Sequence, residues 1–191
     1  MQIETNLLID QLLEIVHRAV YAANSFKQLR ADQLNYKASH DEWSILECIE
    51  HLNLYGDYYL PEIEKQLLAQ QTQSGNTIFK SGLIGNYFAN LMQVKNGTVK
   101  KKLQSPKDKN PNNSKLTVKS IDRFIKQLDR LQSLLNQSRK IDLSKTKTAI
   151  SLTKLIKLRL GDTFRFFVYH IERHILQADK IEIRMNRKVL V

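Results

Sequence analysis

Two histidines near the C-terminal end of the chain, His170 and His174, are the residues whose type and spacing most directly indicate chemistry. They lie four positions apart in a segment whose apolar residues recur at helical spacing, so both imidazoles project from one helix face. A pair at this spacing can bind one divalent metal ion if a third ligand comes from elsewhere. The pair alone is a weak signal, because histidines at this spacing also occur on helix surfaces and in protein cores.

A third imidazole is available at His51, in an earlier segment with the same helical periodicity. His51 is offset by about 100° of helical rotation from Leu52, which places it at the edge of the predicted apolar stripe. Three histidines from two helices would leave one to three coordination positions open for water or substrate. A divalent metal site at His51, His170 and His174 is therefore one interpretation, for which zinc, nickel, manganese and iron are the candidate ions, and histidines of the surface or the core are the other. His17 lies off the seam of its own helix and is expected at the surface.

Two amphipathic segments in the first third of the chain predict helices. Apolar residues that recur in steps of three and four indicate a first helix over about 6–34. Ser44 and Glu47 form the signature of a capping box, which predicts the start of a second helix that extends to about residue 70. We expect Pro61 to kink this second helix or to restart it, because proline lacks the backbone donor that a helix interior uses.

Two further amphipathic segments complete the helices of a predicted bundle. A third helix is expected to begin near Thr117 or Ser120 and to end before Ser138, and it contains no histidine. The fourth helix opens at Gly161 and Asp162, where Asp162 is the expected N-cap, and it carries the histidine pair. Facing helices of a bundle can project ligands into one shared cavity, which is how many metal sites in this architecture are built. The pattern therefore predicts an all-α fold, a four-helix bundle.

The two long segments between the later helices are basic, and we predict that most of their residues form loops. Residues 72–116 form a connector long enough to run the full length of a bundle, which would leave the second and third helices parallel. Within this connector, residues 79–92 repeat apolar side chains at helical spacing and predict a short packing helix. Residues 141–160 form a second basic linker, whose apolar residues are expected to anchor a turn of helix against the core.

The composition of the chain predicts one domain. The 191 residues are 42% hydrophobic and carry a formal net charge of +11, and we expect a single domain over 1–191. No apolar run approaches the ~18 residues typical of a transmembrane helix, and the first residues lack the basic start of a secretory signal. We therefore expect a cytoplasmic protein with no membrane contact. The single cysteine, Cys48, excludes an intramolecular disulfide framework and is expected to serve as packing.

The positive charge is concentrated in residues 95–119 and 139–159, which lie mostly between the predicted helices. Neither stretch contains Phe, Tyr or Trp. Surfaces that bind nucleic acids usually combine basic residues with aromatic rings for stacking, or with a helix that reads the bases. We therefore expect solvated loops and no nucleic-acid site, and contact with a polyanion or an anionic substrate is the alternative.

The order of the candidate ligands along the chain is distinctive. A Trp43-Ser44 start precedes the second helix, His51 lies early in that helix, a long crossover follows, and the last helix has the run from His170 to Gln177 with Arg before the second histidine. Over almost the whole chain these features resemble the DinB-like superfamily of four-helix metal-binding proteins. The resemblance implies an up-down-down-up bundle, with a short extra helix in the long crossover between helices 2 and 3. It also implies a divalent metal ion held by the same three histidines.

The resemblance also carries expectations about function. The family includes S-transferases and isomerases that use low-molecular-weight thiols such as bacillithiol or mycothiol, together with many members of unknown activity. For this chain it implies a metal-dependent transferase or hydrolase that acts on a small molecule, in which the metal would activate a thiol as the nucleophile. A homodimer is a further expectation. The alternative is a noncatalytic stress-associated protein whose basic loops bind a polyanion or a protein partner.

Three more residues are candidates for support of the metal ligands. Arg173 and Gln177 match family positions next to the histidines; Gln177 could orient a ligand, and Arg173 could equally be a structural ion-pair partner. Glu47 lies one helical turn before His51 and is a candidate acceptor for its ring, although the capping box alone would explain a glutamate at that position.

Overall fold

The structure, a computed structural model, describes residues 1–70, 77–99, 103–151 and 153–189 of the chain. The helices are α1 (Thr5–Phe26), α2 (Ala31–Leu34), α3 (Ile45–Leu68), α4 (Leu83–Met92), α5 (Lys119–Gln137) and α6 (Leu160–Val189). The strands form antiparallel pairs, β1 (Gln2–Glu4) with β2 (Ile78–Lys80), β3 (Val94–Lys95) with β4 (Thr98–Val99), and β5 (Lys147–Ile150) with β6 (Thr153–Arg159). Single 3₁₀ turns lie at Lys107–Lys109 and Ser138–Lys140. The prediction of a mainly helical protein is confirmed. None of these helices is both long and apolar enough to cross a membrane.

The four long helices pack side by side, and α5 and α6 each contact both α1 and α3. Ion pairs between α3 and α5 advance together along both helices, since Glu50 pairs with Arg123 and Glu64 pairs with Arg130. Helices α3 and α5 therefore run parallel. A parallel pair needs a connection as long as the helices themselves, and the long connector between them supplies it.

Helices α1 and α5 run antiparallel, as the ion pairs at their two ends show. Asp10, near the start of α1, pairs with Arg139 just after the end of α5. Lys27, just after the end of α1, pairs with Asp122 in the first turn of α5. The N-terminal end of α1 consequently lies at the same end of the bundle as the C-terminal end of α5.

Helices α3 and α6 also run antiparallel, and their contact carries the histidines. The ring of His51 lies 5.0 Å from that of His170, whereas Tyr59, two turns later on α3, lies 5.8 Å from Phe166, one turn earlier on α6. Aromatic rings line the contact between α3 and α6, so the histidines lie among aromatic side chains and away from solvent.

The core between the long helices is almost wholly apolar, which is the main source of stability for such a bundle. Side chains that are less than 2% exposed come from all four helices: Leu8, Ile9, Leu12, Val16, Ile45, Leu46, Ile49, Leu52, Phe124, Leu128, Phe164 and Ile171. Cys48 is also fully buried, and burial raises the pKa of its thiol, followed by the nearby charge of Glu47. The thiol therefore stays protonated and acts as packing, as predicted.

The first helix is shorter than its apolar seam predicts. Helix α1 ends at Phe26, and Arg30 has an extended backbone whose N–H donates to Oε1 of Gln33 at 2.9 Å. This contact starts the separate helix α2, so the predicted continuous helix to residue 34 is wrong. The apolar pattern does not show this break, because Leu34, which follows the break, is also buried in the core. Helix α3, by contrast, continues through Pro61 without a restart.

The basic linker predicted over 141–160 is largely a β-hairpin, so the expected turn of helix is wrong for the described residues. Strands β5 and β6 pair with Thr148 opposite Leu158, and both of these side chains are buried. Burial alternates along β5, where Lys147 is exposed and Thr148 and Ile150 are buried, which is the period of a strand with one buried face. The hydroxyl of Tyr58 on α3 donates to the carbonyl of Ile150 at 2.9 Å and docks the hairpin on the bundle.

The connector over 72–116 contains the predicted short helix, α4, which packs against α6. Residues 71–76 and 100–102 of this region lie outside the described residues. The start of α6 contacts the start of α4, because Asp162 accepts the N–H of Gly82 at 2.8 Å. Asp162 also pairs with Arg165 of its own helix. Asp162 is therefore not the N-cap that the sequence predicts: α6 begins at Leu160, and the carboxylate of Asp162 bonds to the connector instead.

Candidate metal centre

The three predicted ligands, His51, His170 and His174, come together where α3 packs against α6. One ligand atom from each residue lies within 4.8 Å of those of the other two. Their side chains are 2%, 4% and 9% exposed, so the site is inside the bundle. Among the described residues, this is the one cluster of three or more metal-ligating side chains that meets this geometry. The three histidines could therefore hold a metal ion.

The start of α3 sets the direction in which His51 points. The hydroxyl of Ser44 accepts the N–H of Glu47 at 3.2 Å, and the N–H of Ser44 donates to Oε2 of Glu47 at 2.7 Å. This is the reciprocal pattern of the predicted capping box, and it fixes where the helix begins. Two turns later, His51 lies beside the fully buried Leu52 on the inner side of the bundle.

The distances among the rings suit coordination of one ion. Nε2 of His51 lies 3.1 Å from Nε2 of His170, and the ring of His174 lies 4.6 Å from both of the other rings. Nitrogens about 2.1 Å from a tetrahedral zinc ion are roughly 3.4 Å apart. The first pair already has this separation, which an N–H···N hydrogen bond would also give. The third imidazole, at equal range from both, distinguishes a three-ligand site from an isolated hydrogen-bonded pair.

The outer nitrogens of two histidines are held by acceptors, and this sets their tautomers. Nδ1–H of His51 donates to the backbone carbonyl of Lys109 at 2.6 Å. Nδ1–H of His174 donates to Oε1 of Gln177 at 3.0 Å. Each bond leaves the lone pair on Nε2 available to a metal. Nδ1 of His170 has no hydrogen-bond partner among the described residues.

The three imidazoles are neutral near pH 7. Burial lowers the pKa of His51, the bond to the Lys109 carbonyl partly opposes this, and the charge of Lys109 lowers the pKa again, so that it lies at about 4. Burial, followed by the neighbouring imidazoles and Arg173, holds the pKa values of His170 and His174 well below the ordinary value. Only a neutral imidazole can bind a metal ion. These three imidazoles can therefore bind one near pH 7 without first losing a proton.

Aromatic rings enclose the triad. The ring of Trp43 lies 4.7 Å from that of His51, and the ring of Tyr55 lies 4.5 Å from that of His170. Phe166 stacks on His170 with an angle of 9° between the rings. Burial raises the pKa of Tyr55 to about 12, so its hydroxyl remains protonated. Tyr55 is not among the residues predicted from the sequence, although its position one turn after His51 places it on the same helix face.

Comparison with protein families connects this geometry to a known group. Residues 13–178 match the model of the DinB superfamily, and this region contains all three histidines. The chain belongs to the DinB superfamily. Searches of curated proteins and of solved structures each found no match. Family membership therefore supports the resemblance seen in the sequence, and the assignment of a reaction depends on the site itself.

Two residues of α6 predicted to support the ligands of this DinB-superfamily protein lie next to them. Gln177 contacts His174 directly, through the bond from Nδ1–H of that residue. Arg173 is buried, and burial lowers its own pKa. Its charge contributes to the low pKa values of His170 and His174. The two residues thus act on the triad in different ways, one by a hydrogen bond and the other by its charge.

Glu47, the third predicted supporting residue, is not the predicted acceptor for the ring of His51, because the carbonyl of Lys109 takes that place. Besides the capping bond to Ser44, its carboxylate accepts the N–H of Asn113 at 2.5 Å and the ammonium group of Lys37 at 3.2 Å. These contacts lead to the connector, whose Lys109 carbonyl is the acceptor for His51. No sequence signal could have identified that acceptor, because every residue has a backbone carbonyl.

Proposed function

We propose that His51, His170 and His174 hold one divalent metal ion, and that the protein is a metal-dependent transferase or hydrolase acting on a small molecule. One observation carries this proposal: three buried, neutral imidazoles offer ligand atoms within 4.8 Å of one another. Three protein ligands leave coordination positions for a substrate, which a structural four-ligand zinc site does not. The proposal includes the up-down-down-up order of the long helices, which the order of contacts along them supports.

We infer that the nucleophile is a low-molecular-weight thiol or water. A divalent metal ion bound by the triad would supply the Lewis acidity that lowers the pKa of either group. The protein's own residues prepare the site for that chemistry. Lys109 and Gln177 orient two imidazoles, and the rings of Trp43 and Tyr55 lie against the imidazoles of His51 and His170. A protonated Tyr55 hydroxyl is a hydrogen-bond donor for a bound small molecule.

Metal analysis of the purified protein tests the ligand assignment. We expect about one zinc, nickel, manganese or iron ion per wild-type chain, and a near-complete loss in His51→Ala and in His174→Ala. His17→Ala is the matched control, because His17 is an exposed histidine on α1 and should leave the metal content unchanged. Unchanged stoichiometric metal in both triad variants would rule out the proposed site.

The reaction is tested in a second step with the metal-loaded protein. Consumption of a low-molecular-weight thiol in the presence of a model electrophile should depend on the protein, stop on addition of a chelator and be absent in His174→Ala. A rate that persists with the chelator would exclude metal-dependent thiol transfer, and no rate at all would exclude thiol transfer to that electrophile.

A binding role for a basic surface on α5 is the second candidate function. Four basic residues of α5, Lys119, Arg123, Lys126 and Arg130, line one surface cavity, where Asp57 and Asp122 also lie. Arg123 and Arg130 are already paired with carboxylates of α3. This pairing lowers the positive charge available to a polyanion, so the triad remains the stronger candidate site.

A further inference from the structure

The connector lies against the metal centre through residues 105–113, which we call the connector loop. Its 3₁₀ turn, Lys107–Lys109, ends at the carbonyl that accepts Nδ1–H of His51 at 2.6 Å. The hydroxyl of Ser105 donates to the same carbonyl at 3.1 Å. The hydrogen-bond acceptor of a candidate metal ligand is thus a backbone atom, and the conformation of the loop determines where that atom lies.

A partly buried ion pair binds the end of the connector loop to α3. The carboxylate of Glu47 accepts the N–H of Asn113, and the ammonium group of Lys37 donates to the same carboxylate oxygen. Lys37 also donates to the side-chain oxygens of Asn112 at 2.6 Å and Asn113 at 3.1 Å. Glu47 and Lys37 therefore bind the loop three and four residues after Lys109, at Asn112 and Asn113.

Hydrogen bonds also hold the chain between Lys109 and Asn113. The indole N–H of Trp43 donates to Oδ1 of Asn110 at 3.2 Å, and the N–H of Asn112 donates to the same oxygen at 3.2 Å. Asn113 has a φ of 63°, a left-handed conformation that asparagine tolerates better than most residues. The segment from Lys109 to Asn113 is consequently a short, turned piece of chain with a contact to the bundle at each end.

We propose that Glu47 and Lys37 are positioning residues of the metal centre, which act on His51 through the connector loop. By holding Asn112 and Asn113 they keep the carbonyl of Lys109 against Nδ1–H of His51, and Nε2 is thereby directed at the other two histidines. An acceptor on the outer nitrogen of a metal-binding histidine fixes its tautomer and orientation and raises its basicity. The inference rests on the proposed function, because it assumes that the triad binds a metal ion.

The link between the connector loop and the metal centre acts in both directions. If the contact of the loop with His51 favours metal binding, then metal binding favours that contact by the same factor. A metal on Nε2 also makes Nδ1–H a stronger donor, which strengthens the bond to Lys109. Backbone amides of residues 105–113 should therefore exchange with solvent more slowly in the metal-bound protein.

Glu47 has a second role, in the capping box of α3, and the test must separate the two. Ser44→Ala removes the hydroxyl that caps the helix and leaves the Glu47–Lys37 pair intact. Lys37→Gln removes the ammonium group and leaves the capping box intact. Glu47→Gln removes the charge from the pair but keeps a side chain that is accepted in a capping box.

Competition titrations of the full-length chain with zinc, and in parallel with nickel, against a chromophoric chelator test this inference. We expect Lys37→Gln and Glu47→Gln to weaken metal binding about 10–100-fold, the range found for the loss of such supporting contacts. Ser44→Ala should keep the wild-type affinity although its unfolding midpoint falls. Hydrogen exchange should show metal-dependent protection of residues 105–113 in wild type and in Ser44→Ala, and its loss in Lys37→Gln.

The outcomes distinguish the two proposals. A wild-type protein that binds neither zinc nor nickel overturns the proposed function. Wild-type affinity in both Lys37→Gln and Glu47→Gln, with the metal still lost in His51→Ala, leaves the metal site intact and overturns the positioning role. An equal loss of affinity in Ser44→Ala also overturns it, because the effect would then follow from a weakened helix.

Discussion

At His51 the two ring nitrogens have different surroundings, and the difference decides what the residue can do. Nδ1 donates to the Lys109 carbonyl, while Nε2 faces His170 at 3.1 Å. The sequence predicts the imidazole and its position near the buried stripe, because both follow from residue type and helical rotation. It does not predict the tautomer, because the acceptor lies 58 residues away in a connector with no regular pattern.

The buried imidazoles predict that the metal-free protein is sensitive to acid. The pKa of His51 is lowered from 6.5 to about 4, so unfolding takes up a proton between these values. The stability that depends on a neutral His51 is present above about pH 6.5 and is lost as the pH falls toward about 4. For His51 alone, a change from pH 7 to pH 5 should lower the free energy of unfolding by about 2 kcal/mol. The lowered pKa values of His170 and His174 add to this loss.

Urea unfolding with a chelator present, at several pH values between 7 and 5, measures this effect. A His51→Phe variant should lose less stability over that range, since one protonation site is absent, whereas His17→Ala should behave as wild type. The same pH dependence in His51→Phe and in wild type would contradict the assignment of the effect to His51.

Between elements, α4 and α6 are joined by a buried charged network that differs in kind from the apolar core. Asp162 and Arg165 form an ion pair of 3.1 Å, and both side chains are almost fully buried. Arg165 also donates to Oδ1 of Asn86 at 3.1 Å, and Asp162 accepts from Gly82. A Cβ on Gly85 would lie 2.5 Å from Asp162, so a glycine lets α4 approach this closely. The apolar pattern predicts α4 itself, but it does not show this docking.

Asp162→Asn should therefore destabilise the fold strongly. It leaves the buried guanidinium of Arg165 without its counter-charge, and breaking a buried pair in this way typically costs about 3–5 kcal/mol. Glu64→Gln is the control, because it breaks the exposed pair with Arg130 and should cost at most about 1 kcal/mol. Denaturant unfolding of the two variants gives the comparison. A loss in Asp162→Asn no larger than that in Glu64→Gln would show that the network contributes little.

Across the whole molecule, the triad joins two long helices whose ligands are 119 residues apart in sequence. Helix α3 runs parallel to α5, so the chain must return along the bundle between them, and the returning connector passes over the triad. Helix α6 then lies antiparallel to α3 and brings its two histidines to the level of His51. A metal at this point would link the first half of the chain to the last helix.

Metal binding should consequently stabilise the entire fold. A ligand that binds only the folded state adds about 2.7 kcal/mol to the free energy of unfolding when its free concentration is 100 times Kd. We expect the melting temperature of the wild-type protein to rise with added zinc or nickel and to fall back with a chelator. His51→Ala should show no such rise, and His17→Ala should match wild type. An equal rise in His51→Ala would indicate that the ion binds elsewhere.

The residues of the site and the long helices that carry them follow from the sequence alone, because residue type, helical periodicity and a capping box are local properties. The tertiary structure decided the end of α1, the β-hairpin over 147–159 and the docking of Asp162 on the connector. It also decided that Glu47 bonds to the loop at Asn113 and that Lys109 supplies the acceptor for His51. Each of these depends on contacts between residues far apart in the chain, and a local pattern carries no information about such contacts.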